Sequence, residues 1–222
     1  FNANKEKYLQ VREKFEVFAR QLIEKISSWD EDVAASQLGV KDCTYRIYRD
    51  TRFSRNKEPY KTHMGIFICK GGKKSPNAGY YLHLEPPGEV IPDSMGVHTQ
   101  TPLSMGGCFI IAGTYKYESK VLRSIRDEIS VNGDSFLEAM QQAADFYPEE
   151  SDMLRKVPSE FSFAPDRWHR LLRYRIFALT KPVGPDYVCG ENALDKIAGD
   201  FRNCRDYIKK LNMAIEYAYE EE

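Results

Sequence analysis

The fold is set by residues 63–85, which read HMGIFICKGGKKSPNAGYYLHLE. In residues 64–69 and in residues 79–84 every second position carries an apolar side chain, which is the pattern of a half-buried β-strand. The pair Gly71-Gly72 lies between the two runs and marks a turn. Because strands this close in sequence usually pair with each other, we expect an antiparallel hairpin here.

Three further segments extend this hairpin into a sheet. Residues 43–49 alternate in the same way, residues 107–115 form a predicted strand with an apolar centre, and residues 177–182 form a predicted edge strand. Together these segments predict an antiparallel sheet of about four to five strands, which is near the typical size.

The helices are predicted on both sides of these strands along the chain. Apolar residues recur at steps of three and four in residues 4–26 and again in residues 192–219, which predicts one helix in each segment. Two shorter helices are predicted at residues 120–129 and 135–146. The order of helix, strands and helices is typical of an α+β fold. We expect a single α+β domain over residues 1–222, in which the N-terminal and C-terminal helices cover the antiparallel sheet.

The overall composition limits the classes of partner. The chain has 222 residues and a net charge of −1, so a generic nucleic-acid binder is not favoured, although a nucleic-acid partner stays open. Five cysteines without a C-x-x-C pair favour a reducing compartment, so we expect a cytoplasmic location. No apolar run approaches the roughly 20 residues that span a bilayer, so no membrane partner is expected.

The densest mixture of aromatic and basic residues lies just before the hairpin, between Arg46 and Lys61, where six cations stand against two acids. Arginine presents a planar fork of donors that suits carboxylate and phosphate groups. One interpretation is an anion site with aromatic side chains as donors or stacking platforms. The other is a structural ion-pair network that ties the segment to the sheet. The candidate ligand-binding residues are Arg46, Tyr48, Arg49, Arg52, Lys57, Tyr60, Lys61, Tyr81 and His83.

Two residues are candidates for proton transfer, Asp50 and His83. The ordinary pKa of histidine lies near neutrality, and His83 lies between Tyr81 and Glu85 on the polar face of its predicted strand. A histidine that is merely hydrogen-bonded on a sheet surface is the competing interpretation. No spacing of His, Asp or Glu matches a known metal site, and no phosphate loop, dinucleotide fingerprint or nucleophile elbow is present. We therefore expect no metal and no cofactor.

Strand alternation also predicts where the polar side chains point. If residues 43–49 form a strand that continues unbroken, Arg46, Asp50 and Arg52 lie on the side away from the core. His83 also faces away from the core on its own strand. We expect these side chains to share a pocket.

A second basic segment runs from Arg167 to Arg175 and contains four arginines in nine residues. Either it adds positive charge to the same surface, or it pairs with the acidic C-terminus, Glu220 to Glu222. Because charge runs are usually solvated or paired locally, the solvated or paired interpretation is favoured.

The central motif resembles a known family. It reads RxxRDTRFSxxKxPYK at residues 46–61 and is followed by GYYLHLEP at residues 79–86. Together with the opening FNANKEKY at residues 1–8, these motifs resemble the conserved hypothetical family called domain of unknown function 2461. The resemblance covers most of the chain and implies an intracellular, mostly microbial protein whose activity is not established, so it carries over no catalytic residue.

The chain departs from the family pattern after this second motif. The family usually continues with a glycine-rich turn that contains tryptophan or proline. Here Gly106-Gly107 comes only after a long insertion, which makes the rim of a nearby site particular to this protein.

These observations predict a protein that binds an anionic, phosphate-bearing small molecule. The alternative is an enzyme that acts on a phosphate-bearing small molecule or nucleic acid, with Asp50 or His83 as the proton-transfer group. A further alternative is a structural or partner-binding protein in which the arginine-rich motif only stabilises the fold. Internal pairing of every arginine in the motif would favour this last interpretation.

Overall fold

The computed structural model describes residues 2–50, 52, 57–86 and 107–220. Its helices are α1 (Lys5–Ser27), α2 (Glu31–Ala35), α3 (Val40–Cys43), α4 (Ser119–Gln142), α5 (His169–Leu172), α6 (Pro185–Cys189), α7 (Ala193–Asn203) and α8 (Arg205–Glu220). Its strands are β1 (Met64–Cys69), β2 (Gly79–Leu84), β3 (Cys108–Thr114), β4 (Tyr147–Pro148) and β5 (Phe177–Val183). None of the described helices is long and apolar enough to cross a membrane.

The five described strands form one antiparallel sheet in the order β1-β2-β3-β5-β4. The hairpin of β1 and β2 has the predicted pairing, with Met64 opposite Leu84. In its turn, Gly71 and Gly72 both have a φ of 75°, a conformation that side chains with a Cβ rarely adopt. The predicted α+β fold with an antiparallel sheet is confirmed.

One face of the sheet packs against the helices and forms the main core. Ile66, Leu82 and Ile110 project from three neighbouring strands, and they are buried together with Leu22 of α1 and Phe201 of α7. Residues of α8 complete the same cluster. The terminal helices therefore cover the sheet as predicted, and removal of this apolar surface from water stabilises the arrangement.

The opposite face of the sheet carries a smaller apolar cluster. Phe109, Ile111 and Ala178 are buried there, and Tyr81 and Tyr115 pack beside them. These residues alternate along β2, β3 and β5 with the residues of the main core, as the pleat requires. The candidate functional site lies on this second face.

The predicted strand at residues 43–49 is wrong. Its first residue, Cys43, ends helix α3, and the Thr44 hydroxyl donates a hydrogen bond to the carbonyl of Val40 at 2.9 Å. Such bonds from threonine to a helix carbonyl compete with sheet pairing. Only an isolated bridge joins Thr44 to the sheet, so strand parity does not decide where the side chains of residues 45–52 point.

Three other features of the helices and strands differ from the predictions. The two helices predicted at residues 120–129 and 135–146 belong to α4, which is interrupted by the non-helical backbone of Asn132. The helix predicted at residues 192–219 is divided into α7 and α8 at Cys204. β5 is not an edge strand, because β4 pairs with its outer side.

Candidate functional site

Three polar residues meet at the end of the β1–β2 hairpin. His83 lies in β2, and Glu85 follows two residues later, so both side chains project from the same face. Because Met64 pairs with Leu84, the antiparallel register places His63 next to Glu85. One nitrogen or oxygen atom from each of His63, His83 and Glu85 lies within 4.8 Å of the other two. These three residues are called the His–His–Glu cluster below.

His83 is held rigidly in this cluster. Its ring is stacked on Phe109 at a centroid distance of 4.3 Å and an interplanar angle of 10°. The ring of His63 also lies against His83, at a centroid distance of 4.5 Å and an interplanar angle of 30°. His83 is 4% exposed, so its orientation is determined by packing as well as by hydrogen bonds.

Hydrogen bonds connect the cluster to two further residues. The Nε2 atom of His83 lies 3.1 Å from Oε2 of Glu85, and its Nδ1 atom lies 3.1 Å from the Tyr81 hydroxyl. The hydroxyl of Thr62 donates to the other carboxylate oxygen of Glu85. Both sides of the His83–Glu85 pair are thus oriented by neighbouring hydroxyl groups.

The environment keeps both imidazoles neutral at physiological pH. Burial, with a contribution from His83 and the nearby cations, lowers the pKa of His63 to about 4. Burial also lowers the pKa of His83, although the hydrogen bond to Glu85 opposes the shift. Burial disfavours ionisation of Glu85, but hydrogen bonds with Thr62 and His83 outweigh it and lower the pKa of this carboxyl. A neutral imidazole beside a carboxylate can accept a proton or bind a metal ion.

A group of cations adjoins the His–His–Glu cluster. Lys61 is half-buried, and burial together with the charges of Arg46 and Arg49 lowers its pKa. Its ammonium lies 5.4 Å from the ring centroid of Tyr45. Lys61 and Arg49 both act electrostatically on His63. Arg46, Arg49 and Lys61 are called the cation cluster below.

Two backbone hydrogen bonds position the cation cluster. The N–H of Arg49 donates to the carbonyl of Pro59, and the N–H of Lys61 donates to the carbonyl of Ile47, both at 2.9 Å. Tyr48 and Tyr60 form the bridge between these bonds, and their ring centroids lie 5.4 Å apart. Residues 47–49 and 59–61 thus pair with each other outside the main sheet, which places Lys61 two residues before His63.

Two pockets meet at Tyr45 and His63. The first has a volume of about 280 Å³ and lies on the second face of the sheet, where Lys61, Tyr81 and Tyr115 line it. The second has a volume of about 370 Å³. It lies between α1 and residues 44–48, and its lining residues include Tyr8, Arg12, Arg46, Tyr48 and Lys73.

The predicted site residues fall into different places. Lys61 and Tyr81 line the first pocket, whereas Arg46 and Tyr48 line the second. Asp50 accepts two hydrogen bonds from the guanidinium of Arg52, at 2.9 and 2.7 Å, on an exposed surface. The arginine lowers the pKa of Asp50 to about 2, which makes this carboxylate a weak base.

The predicted pocket shared by Arg46, Asp50, Arg52 and His83 rested on a strand that does not exist. Among the described residues, His83 makes its ring contacts and hydrogen bonds with His63, Tyr81, Glu85 and Phe109. Lys57 is exposed. Residues 53–56 and the insertion at residues 87–106 lie outside the described part of the chain.

His63, like Glu85, is a site residue for which the sequence predicts no role. Its signal is the hairpin register, because a residue one position before β1 lies opposite a residue one position after β2. The spacing of His83 and Glu85 was also informative, since residues two apart on a strand share a face. Neither signal resembles the fixed spacing of a known metal motif.

The fold and the site together define an α+β protein with a polar cluster on the second face of its antiparallel sheet. Residues 1–105 and 94–209 match the family model described as "Conserved hypothetical protein (DUF2461)", and the chain belongs to this family. No curated protein and no solved structure shows significant similarity to the chain.

Proposed function

We propose that the chain binds a small phosphate-bearing anion at the cation cluster. One observation carries the proposal: Lys61 is half-buried beside Arg46 and Arg49, yet none of the three lies within ion-pair distance of a carboxylate in the described ranges. Partial burial of like charges is unfavourable unless an opposite charge compensates. A bound anion would supply that charge.

The surroundings suit a small phosphate compound. Guanidinium and ammonium groups bind phosphate oxygens well, and the phenol group of Tyr45 lies in the adjoining pocket as a further donor. A volume of about 280 Å³ is near the lower end for small-molecule sites. Arg52 does not belong to the proposed site, because Asp50 already neutralises it.

The proposal is tested by the thermal stability of variants in phosphate. The melting temperature of the wild type is compared in sodium phosphate and in sodium chloride of matched ionic strength, and pyrophosphate serves as a second probe. We expect phosphate to raise the melting temperature of the wild type. The increase should disappear in Lys61→Gln and in Arg49→Gln, which remove one charge each.

The matched control is Lys74→Gln. Lys74 is exposed in the turn of the hairpin and lines neither of the two pockets, so its removal changes the net charge equally without altering the site. An equal response to phosphate in all three variants would mean that the effect is non-specific and would contradict the proposal.

A second candidate function is an enzyme that acts on such an anion, with His83 as the proton-transfer group. The chain of hydrogen bonds from Tyr81 through His83 to Glu85 favours it, because a carboxylate that orients an imidazole is a recurrent feature of acid–base catalysis. Hydrolysis of p-nitrophenyl phosphate by the wild type, and its loss in His83→Gln, would support this candidate. Absence of turnover by the wild type on this probe would count against a phosphatase.

A further inference from the structure

We propose that the His–His–Glu cluster binds one divalent transition-metal ion, with zinc or ferrous iron as the fitting class. This inference departs from the expectation of no metal and does not depend on anion binding at the cation cluster. Its basis is the placement of two imidazoles and one carboxylate whose ligand atoms lie within 4.8 Å of one another.

The distances fit shared coordination. Two ligands that each lie about 2.0–2.2 Å from one metal ion are about 2.8–3.6 Å apart at octahedral to tetrahedral angles. Nε2 of His83 and Oε2 of Glu85 are separated by 3.1 Å, so an ion can bind both with little rearrangement. A ring nitrogen of His63 lies within 4.8 Å of ligand atoms of both residues and completes the set.

The outer hydrogen bonds are those of a metal site. A histidine that binds a metal through one nitrogen usually donates a hydrogen bond from the other, and a carboxylate ligand is usually hydrogen-bonded as well. Here Nδ1 of His83 faces the Tyr81 hydroxyl at 3.1 Å, and Thr62 donates to Oε1 of Glu85. Nε2 of His83 and Oε2 of Glu85, which are 3.1 Å apart, then remain to bind the ion.

His63 distinguishes a metal site from a purely structural hydrogen bond. The contact between His83 and Glu85 is satisfied without a third residue. The ring of His63, however, lies against the ring of His83 at an interplanar angle of 30°, and neither of its ring nitrogens makes a hydrogen bond to a residue that the structure describes. The ring of His63 therefore has a nitrogen available beside the carboxylate of Glu85. Binding of a metal ion accounts for this placement of His63.

The donor set selects the class of ion. Two imidazoles and one carboxylate match catalytic zinc sites with an open position and ferrous sites of the two-histidine, one-carboxylate kind. Magnesium and calcium prefer sites built from oxygen ligands. Lys61 and Arg49 are near enough to His63 to act on it electrostatically, so an anion bound by these two cations would lie near the metal ion.

The test uses the full chain, freed of metal with a chelator and titrated with Zn²⁺ by calorimetry. We expect one equivalent to bind, and no binding of Mg²⁺ or Ca²⁺ under the same conditions. His63→Gln and Glu85→Gln should weaken Zn²⁺ binding by more than about 100-fold. Thr62→Val, which removes only an outer hydrogen bond, should weaken it by about 10-fold.

The matched control is His169→Gln, which makes the same chemical change at a histidine that contacts Ala164 and Asp166 instead. It should bind Zn²⁺ like the wild type. Circular dichroism and urea denaturation check that each variant folds. Because Thr62 is exposed, the Thr62→Val variant keeps the test decisive even if a histidine variant does not fold.

Titration with Co²⁺ identifies the ligands. Imidazole and carboxylate ligands give visible absorption bands without a strong near-ultraviolet thiolate band, so this is the spectrum that we expect. A thiolate band would place the metal on a cysteine such as the exposed Cys189 and would overturn the proposal. Unchanged Zn²⁺ affinity in Glu85→Gln, or no stoichiometric binding by the wild type, would overturn it as well.

Discussion

Two arginine-rich regions of this chain have opposite environments. In the segment 167–175, each arginine has a partner within the fold. Three of them form ion pairs of 2.6 to 3.0 Å: Arg167 with Asp134, Arg170 with Glu150, and Arg175 with Asp152. The remaining one, Arg173, donates to the carbonyl of Leu154 at 2.8 Å. In the cation cluster, the described residues provide no such carboxylate.

The difference shows that a high density of arginine does not by itself indicate an anion site. The deciding feature is whether the fold brings carboxylates to the arginines from other elements. The arginines of the segment 167–175 are paired, but their carboxylate partners are Asp134, Glu150 and Asp152 and not the predicted C-terminal acids. Glu220 pairs with none of these arginines, and Glu221 and Glu222 lie outside the described residues.

The largest expected effect tests the structural role of the segment 167–175. Trp168 is 7% exposed, and its indole donates to Asp134 at 2.7 Å. We expect Trp168→Ala to lower the free energy of unfolding by about 3–5 kcal/mol because it leaves a large cavity. Urea denaturation measures this change, and the phosphate response of the folded variant should be retained.

A nearby aromatic residue provides the control for this prediction. Phe163 is 73% exposed, so Phe163→Ala should change the free energy of unfolding by less than about 0.5 kcal/mol. Similar losses in the two variants would mean that burial of Trp168 is not what stabilises this region.

A smaller effect tests the packing under the same tryptophan. A Cβ atom on Gly133 would lie 2.5 Å from the ring of Trp168, so Gly133→Ala forces the ring or the α4 backbone to move. We expect a loss of about 1–3 kcal/mol, the usual cost of overpacking. In α7, a Cβ on Gly199 would contact nothing within 4 Å, so Gly199→Ala should instead stabilise the helix by up to about 1 kcal/mol. Denaturant midpoints of both variants provide the comparison, and a stabilised Gly133→Ala would refute the close contact.

Much of the fold could be predicted because its decisive features are local in sequence. The hairpin of β1 and β2 follows from two alternating runs and a glycine turn, and the apolar stripes of the terminal helices follow from their periodicity. The strand predicted at residues 43–49 failed, because alternation over so few residues does not reveal the competing bond from Thr44 to α3. β4 has two residues, which is too short to leave a pattern.

The candidate site was less predictable because it depends on contacts between distant residues. The composition of residues 46–61 indicated cations, but the pairing of Asp50 with Arg52, and the lack of a carboxylate paired with Lys61 among the described residues, are properties of the folded chain. His63 acquires its neighbours through the register of the hairpin. A sequence pattern shows which chemical groups are present, whereas the fold determines which of them are left to bind a ligand.

Salt dependence should separate the two arginine-rich regions at the level of single charges. Arg170→Gln removes an exposed ion pair with Glu150 and should cost about 0.2–1 kcal/mol at low salt. Arg49→Gln removes a charge that repels Lys61. We therefore expect the free energy of unfolding to stay the same or to rise by about 0.2–0.5 kcal/mol, the usual scale for neighbouring charges. In about 1 M salt, where the Debye length is about 3 Å, both effects should shrink. A loss of stability in Arg49→Gln equal to that in Arg170→Gln would show that Arg49 also has a stabilising partner.

The smallest expected effect is a difference in acid stability between two exposed carboxylates, one from each region. Hydrogen bonds lower the pKa of Asp134 to about 2, with Arg167 and Trp168 as donors, and Arg52 lowers the pKa of Asp50 to about 2 as well. A depressed folded-state pKa stabilises the protein fully above the ordinary value near 4, and this contribution is lost as the pH falls from about 4 to about 2.

The partners of Asp134 are 33 and 34 residues away, so unfolding separates them, whereas Arg52 stays two residues from Asp50 in the unfolded chain. We therefore expect Asp134→Asn to flatten the fall in stability over this pH range, and Asp50→Asn to change it much less, as measured by urea denaturation between pH 2 and pH 5. Equal flattening in both variants would mean that the Asp50–Arg52 pair also depends on the fold, which would weaken the contrast between the two regions.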